Sequence, residues 1–190
     1  MENGNMSFRK IYMWARKYLL GIDDRSAMEI AIANGMKVGK NPNFQDGIIY
    51  DPSHCWLISI GDNVTIAPRV HILCHDASTK LTLGYTKIGR VEIGNDVFIG
   101  ANTTILPGVS IGNNCVIGAN SVLTRSIPSN SVAVGNPCKV IKSYDEYIAE
   151  NRKLMNDVPC FGKEYIAGTI TNDKKNEMQE KLEHTIGFIL

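Results

Sequence analysis

The chain has 190 residues, 44% of them hydrophobic, which is enough for one main domain with a buried core and an appendage. Twenty Lys and Arg residues nearly balance nineteen Asp and Glu residues, so the net charge of +1 gives no electrostatic case for nucleic acid as the main partner. The five cysteines are odd in number and form no CxxC pair, which excludes a simple disulfide framework or zinc knuckle and favours a reducing compartment.

The first predicted element is an amphipathic helix over residues 6–20. Its apolar residues follow the spacing of one helix face: Phe8, Ile11, Tyr12, Ala15 and Leu19. Basic residues interrupt this run, and nowhere does the chain approach the roughly 20 apolar residues of a membrane span. We therefore expect a cytoplasmic protein without an integral membrane segment, in which residues 1–57 form this helix and an irregular lead-in coil.

A period of six residues dominates the middle of the chain. Aliphatic residues recur at 93, 99, 105, 111, 117 and 123, and small or aliphatic residues follow four positions later. An earlier copy begins at Ile60. Period six fits neither an amphipathic helix nor an alternating strand, but it fits short strands joined by tight corners, three of which close a coil of about eighteen residues. The pattern predicts a mainly β fold, a single-stranded parallel β-helix over 58–142, with Gly or Asn supplying positive φ near the corners.

One interval breaks the period. Ile72 and Ile93 are 21 residues apart, which is not a multiple of six, so residues 76–90 are predicted to loop out of the coil. A loop that interrupts a regular solenoid is often functional, and a tolerated insertion is the alternative.

Helices are predicted after the repeat. Ser143 and Glu146 form an S-x-x-E capping box that predicts a helix to about Val158, and a charged segment predicts a second helix from Thr171 to His184. Residues 143–190 are thus expected to be a helical extension.

The chemistry centres on the histidines. His75 lies where the first clear block of the repeat meets the predicted loop, and imidazole can accept a proton near neutral pH. His54 and His71 could pack, or could contact substrate. Three histidines raise the question of a metal site, but no carboxylate or cysteine pattern completes one, so no metal is expected. Asp76 is a doubtful orienter of His75 because adjacent strand residues point to opposite faces, and a backbone carbonyl could hold the ring instead.

The segment from Ile58 to Ile141 resembles the hexapeptide-repeat acyltransferases, and within them the maltose and galactoside O-acetyltransferases and capsular-sugar acetyltransferases. The resembling sequences are ISIGDNVTIAPRVHILCHDAS and VEIGNDVFIGANTTILPGVSIGNNCVIGANSVLTRSIPSNSVAVGNPCKVI. The resemblance implies a left-handed β-helix, a homotrimer with sites between neighbouring chains, and direct acetyl transfer from acetyl-CoA to a hydroxyl, or less often an amine, of a sugar or related small acceptor.

The resemblance also implies roles for individual residues. His75 matches the catalytic histidine and would be the general base, while His54 and the loop residue Tyr85 are candidates for contact with the acceptor. The positions that would contact acetyl-CoA are Gly100, Ala101, Ala119, Thr124, Arg125, Lys139 and Lys142. A backbone N–H near Gly100 or Ala101 is the candidate oxyanion donor. The two lysines suit the phosphates, with solvated surface charge as the alternative.

Two other functions share this fold and stay open at this point. A γ-carbonic-anhydrase-like enzyme would need three zinc-binding histidines, and a non-catalytic β-helix scaffold would need none of the features above. A serine acetyltransferase is disfavoured because the region before residue 58 is too short for its helical domain.

Overall fold

The computed structural model describes Tyr12 and residues 25–190. The chain divides into two compact units, Met1–Val140 and Ile141–Leu190. The predicted helix over 6–20 lies outside the described residues except for Tyr12. The first described helix is α1, Ala27–Ala33, which begins with a capping box formed by Ser26 and Glu29.

The first unit is built from very short strands. In chain order they are β1 (Lys37–Val38), β2 (Asn43–Phe44), β3 (Ile49–Tyr50), β4 (Ile58–Ile60), β5 (Thr65–Ile66), β6 (His71–Ile72), β7 (His75–Asp76), β8 (Lys87–Ile88), β9 (Val91–Ile93), β10 (Val97–Ile99), β11 (Thr104–Ile105), β12 (Ser110–Ile111), β13 (Cys115–Ile117), β14 (Val122–Leu123) and β15 (Ser131–Val134). Strand β16 (Lys139–Ser143) leads into the second unit.

Three parallel sheets wrap the core of this unit. Their strand orders are β1-β4-β9-β12, β15-β13-β10-β5-β2 and β14-β11-β6-β3. Consecutive strands therefore visit the three sheets in rotation, and the chain winds as a three-sided coil. The predicted architecture of short parallel strands is confirmed at this level.

The pairing register of strand β9 shows how many residues the loop contains. Ile93 pairs with Ile111, 18 residues on, but with Ile60, 33 residues back. The 15 extra residues equal the predicted loop, 76–90, which forms the antiparallel pair β7–β8, the short helix α2 (Lys80–Leu83) and a 3-10 turn, Ala77–Thr79.

The first coil lies within residues 1–57, the predicted lead-in. Strands β1, β2 and β3 already pair with β4, β5 and β6, so regular winding begins at Lys37 rather than at Ile58. The period is present there, since Val38, Phe44 and Tyr50 are six apart. Two of these positions, Phe44 and Tyr50, carry aromatic side chains instead of aliphatic ones, which makes the pattern harder to recognise.

Both rows of the six-residue period are buried in the core. The aliphatic row is at most 4% exposed: Ile93, Ile99, Ile105, Ile111, Ile117 and Leu123. The second row is at most 5% exposed: Val97, Thr103, Val109, Cys115, Ser121 and Ile127. The two hydroxyls in that row are satisfied, because Thr103 Oγ1 and Ser121 Oγ both donate to the Gly118 carbonyl. All five cysteines are free.

At the corners of the coil, Asn and Gly have different roles. Positive φ falls mainly on Asn and Asp residues such as Asn102 and Asn120, each at +57°. The glycines that follow an aliphatic residue, at 94, 100, 112 and 118, are needed for space instead: a Cβ on Gly100 would lie 2.4 Å from the backbone nitrogen of Ala119 on the next coil. The expectation of positive φ was therefore right for Asn and wrong for these glycines, because the coils stack too closely for any side chain there.

The second unit contains the predicted C-terminal helices. Helix α3 is Tyr144–Leu154, with the Ser143/Glu146 capping box in place, and α4 is Asn172–Lys181, capped by Thr171. Two parallel strands, β17 (Cys160–Phe161) and β18 (Phe188–Ile189), close this unit. Within the described part of the chain, no helix has both the length and the apolarity needed to span a membrane.

Candidate active site

The candidate active site lies at one edge of a sheet, just after the paired strands β3 and β6 of two neighbouring coils. Strands β3 and β6 are paired, with Tyr50 opposite Ile72, so the residues that follow them emerge at the same edge. On one coil this residue is Asp51, and on the next the chain continues through Cys74 to His75. The coil geometry thus brings together two side chains that are 24 residues apart in the sequence.

Asp51 is a buried carboxylate that accepts four hydrogen bonds. Oδ1 accepts the backbone N–H groups of Ser53 and His54, both at 2.9 Å, and Oδ2 accepts the N–H of Cys74 at 2.7 Å. The fourth partner is His75, whose Nδ1 lies 2.6 Å from Oδ2. Burial by itself raises the pKa of Asp51, but these hydrogen bonds outweigh it and bring the pKa below the ordinary 3.8. Asp51 is therefore ionised at neutral pH.

The ionised carboxylate fixes the tautomer of His75. Because a carboxylate can only accept, Nδ1 of His75 must carry the hydrogen that joins it to Asp51. Nε2 then keeps its lone pair and can accept a proton, and Asp51 would stabilise the imidazolium formed. The His75 side chain is 32% exposed, so a substrate can reach it.

Sequence reasoning missed Asp51 as the partner of His75. Asp76, which seemed a doubtful orienter, instead pairs with Lys87 at 2.6 Å and caps the turn of the loop through Ser78. A sequence signal for Asp51 exists. Its hydrogen bonds to the N–H groups two and three residues on form the local turn that Asp favours in Asp-Pro-Ser-His, and Tyr50 before it is in step with the period of six.

His54 joins the site as a second imidazole. Its ring centroid is 5.5 Å from that of His75 and 5.3 Å from that of Trp56. Its Nδ1 is buried, makes no hydrogen bond and lies 3.8 Å from Oδ1 of Asp51. The structure therefore places His54 beside His75, as a residue that contacts the acceptor would require.

The side chains of Asp51, His54 and His75 are close enough together to bind one metal ion. Potential donor atoms of Asp51, His54 and His75 lie within 4.8 Å of one another. However, three backbone N–H groups already bond to the two oxygens of Asp51, and the remaining acceptor position bonds to Nδ1 of His75, so a metal would have to displace that hydrogen. The arrangement as it stands is that of a hydrogen-bonded base.

The loop beside His75 presents apolar side chains to solvent. Tyr85 is 80% exposed, and its backbone carbonyl accepts the hydroxyl of Thr79 at 2.9 Å. Leu81, Leu83 and Ile88 are also exposed. Within a single chain Tyr85 has no described contact with His75, so its predicted contact with the acceptor stays a prediction.

Three of the residues predicted to bind acetyl-CoA lie away from His75. Gly100, Ala101 and Ala119 lie together at one corner on stacked coils, just before strands β11 and β14. His75 follows the far end of β6, the parallel neighbour of β11, so the corner and His75 lie at opposite ends of this pair of strands. The N–H of Gly100 donates to the Ile117 carbonyl at 2.8 Å and is not available to an oxyanion, which leaves Ala101 as the backbone candidate.

The remaining predicted contacts of acetyl-CoA are on the surface. Thr124 and Arg125 follow β14 and are exposed, and Lys139 is exposed at the end of the first unit. In the second unit, Lys142 forms an ion pair with Glu150. Lys139 is therefore the better placed of the two lysines to meet a phosphate.

The repeat matches a known sequence family. Residues 90–125 match the family described as bacterial transferase hexapeptide, six repeats. The chain resembles the hexapeptide-repeat acetyltransferases.

Individual proteins support this similarity. Protein CapG of Staphylococcus aureus is 48% identical over 108 residues, which are 55% of this chain and 62% of that protein. YvoF of Bacillus subtilis, named as an acetyltransferase, is 38% identical over 111 residues, 58% of this chain and 62% of that one. This chain thus spans less than two thirds of the length of either relative.

A solved structure supports the fold. A hexapeptide-repeat acetyltransferase of Vibrio cholerae superposes with a TM-score of 0.50 over 70% of this chain and 89% of that one, at 21% identity. At 21% identity, the superposition supports the fold alone.

Proposed function

We propose that this protein is an acetyltransferase that moves the acetyl group of acetyl-CoA to a hydroxyl of a sugar or related small acceptor, on a left-handed β-helix. The observation that carries the proposal is the pair formed by a buried, ionised Asp51 and the accessible His75, 2.6 Å apart. The names of the relatives and the hexapeptide repeat support the same reaction.

In this reaction Nε2 of His75 takes the proton of the acceptor hydroxyl as its oxygen attacks the thioester carbonyl carbon. The tetrahedral oxyanion then collapses and expels the CoA thiolate, which takes the proton back from the imidazolium. Asp51 holds the ring in the required tautomer and stabilises its transient positive charge. An amine acceptor would need the same base, so the geometry of His75 does not exclude it.

The proposal includes a homotrimer. Its support is that the corner at Ala101 and the edge that carries His75 lie at opposite ends of strands β6 and β11 within one chain. A neighbouring copy could bring its own corner to His75, and the exposed apolar loop residues offer a surface for it. Sedimentation velocity tests this: a single species of three chains is expected, and a monomer that turns over acetyl-CoA would contradict it.

The first test of the function is calorimetric titration with CoA and acetyl-CoA. Micromolar binding at one site per chain would support the proposal and justify a search for the acceptor by release of free thiol. No binding, together with stoichiometric zinc in the purified protein, would instead support the metal-enzyme alternative. A cytoplasmic location stays a prediction.

A further inference from the structure

Trp56 is a large apolar side chain left in solvent next to the candidate active site. It is 55% exposed, although Cys55 before it is buried and Leu57 after it is partly buried. An exposed indole beside an accessible base is a surface on which a ligand can be held.

The backbone that carries Trp56 is fixed in place. It belongs to a 3-10 turn, Cys55–Leu57, which lies against the end of α1. The thiol of Cys55 donates to the carbonyls of Ala31 and Asn34, and a Cβ on Gly35 would lie 3.0 Å from the Cβ of Trp56. The indole therefore projects from a close-packed base, which reduces the entropy lost when it binds a ligand.

Aromatic contacts connect this indole to the base. The ring centroid of Trp56 lies 5.3 Å from that of His54, which lies 5.5 Å from that of His75. The two ends of this row are therefore within about 11 Å of each other, the sum of the two distances. A monosaccharide or disaccharide can contact both ends.

Neither carboxylate near the row is free to bind a charged amine. Asp51 is buried beneath the histidines, and the exposed carboxylate of Asp76 is neutralised by Lys87. The site thus offers aromatic faces and one proton acceptor. A pyranose ring, with an apolar C–H face and hydroxyls at its rim, matches that combination better than a charged amine does.

We propose that the indole of Trp56, backed by His54, is the platform on which the apolar face of a pyranose ring of the acceptor stacks while one hydroxyl reaches His75. This rests on the proposed acetyl transfer for the role of His75, but the binding of the saccharide to Trp56 can be measured without turnover. Trp56 is then the residue that selects a ring-shaped acceptor.

Fluorescence tests the binding step. The chain has two tryptophans, so Trp14→Phe leaves Trp56 as the only indole. Titration of this variant with a panel of methyl pyranosides and disaccharides is expected to give a saturable change in emission with at least one of them. Sorbitol, an acyclic polyol, is expected to give none. No change with any saccharide, or the same change with sorbitol, would overturn the proposal.

Kinetics test the role in selecting the acceptor. Trp56→Ala is expected to raise KM for the saccharide about tenfold and leave KM for acetyl-CoA unchanged, while Trp56→Phe recovers most of the loss. Phe98→Ala is the matched control, since Phe98 is 44% exposed on another sheet, and it should change neither constant. Unchanged saccharide KM in Trp56→Ala, with acetyl transfer intact, would overturn the platform and leave the proposed function standing. Saccharide binding to Trp56 without any acetyl transfer would support the platform and overturn the proposed function. Loss of the oligomer in Trp56→Ala would identify Trp56 as an interface residue and overturn the platform.

Discussion

Replacing Asp51 with Asn keeps the shape of the side chain and removes its charge. An amide has one oxygen, whereas each carboxylate oxygen of Asp51 accepts two hydrogen bonds. If the amide oxygen takes the place of Oδ1, the N–H groups of Ser53 and His54 stay satisfied. The amide NH₂ then faces the Cys74 N–H and donates to Nδ1 of His75, which puts the imidazole proton on Nε2 and leaves no base.

The size of the effect follows from these contacts. General-base catalysis supplies about 10²- to 10⁴-fold in rate, so kcat for Asp51→Asn should fall by a factor in that range. One buried N–H, that of Cys74, loses its acceptor, which costs about 1–3 kcal/mol in the free energy of unfolding. For a chain of this length that lowers Tm by roughly 2–12 °C.

The stability difference should also depend on pH. The pKa of Asp51 is lowered in the folded protein, so its stabilising contribution is complete above the ordinary pKa of 3.8 and is lost as the pH falls through the lower folded value. Asn does not titrate. The gap in Tm between the protein and Asp51→Asn should therefore shrink as the pH falls below about 4.

The assay is release of free thiol from acetyl-CoA in the presence of the acceptor, with Tm measured on the same samples. Asp76→Asn is the matched control, because Asp76 is adjacent to His75 in sequence but pairs with Lys87 in the loop. It should keep most of the activity. A folded Asp51→Asn variant with near-normal kcat would refute the role of Asp51, and equal losses in both variants would show that the assay reports loop order instead.

Three further changes test the coil and the cofactor positions. Gly100→Ala should lower the free energy of unfolding by about 1–3 kcal/mol in denaturant titrations, because its Cβ would lie 2.4 Å from the Ala119 nitrogen; an unchanged midpoint would contradict the close stacking. Ile117→Ala, in the fully buried row, should cost about 2–5 kcal/mol in the same titration, and a loss below 1 kcal/mol would contradict tight packing of the core. Lys139→Ala should raise the calorimetric Kd for CoA about three- to tenfold while the exposed Lys40→Ala does not, and equal affinities would show that Lys139 is only a solvated surface charge.

The sequence predicted the coil because one period repeats many times. Each inward residue from Ile93 to Ile127 is constrained by the same narrow core, and the loop is visible as a defect in that period. The prediction weakened where the period is carried by unlike residues, as with Phe44 and Tyr50 in the first coil. Local capping rules sufficed for α3, whose Ser143 and Glu146 are only three residues apart.

The site was harder to predict because it depends on register between coils. His75 could be singled out from its position at the loop, but its partner Asp51 is 24 residues away and becomes visible only once Tyr50 is paired with Ile72. Trp56 was missed for a related reason. Its exposure results from a 3-10 turn that interrupts the coil, and no periodicity predicts such a turn.

The proposed role of His75 as the base in acetyl transfer is best tested by comparing His75→Ala with the unaltered protein. Acetyl transfer to the identified acceptor would be followed at saturating acetyl-CoA, with Tm and oligomeric state measured in parallel. We expect His75→Ala to lose at least about 10²-fold in kcat while it stays folded and binds acetyl-CoA with unchanged Kd. A folded variant that turns over at a near-normal rate would contradict it.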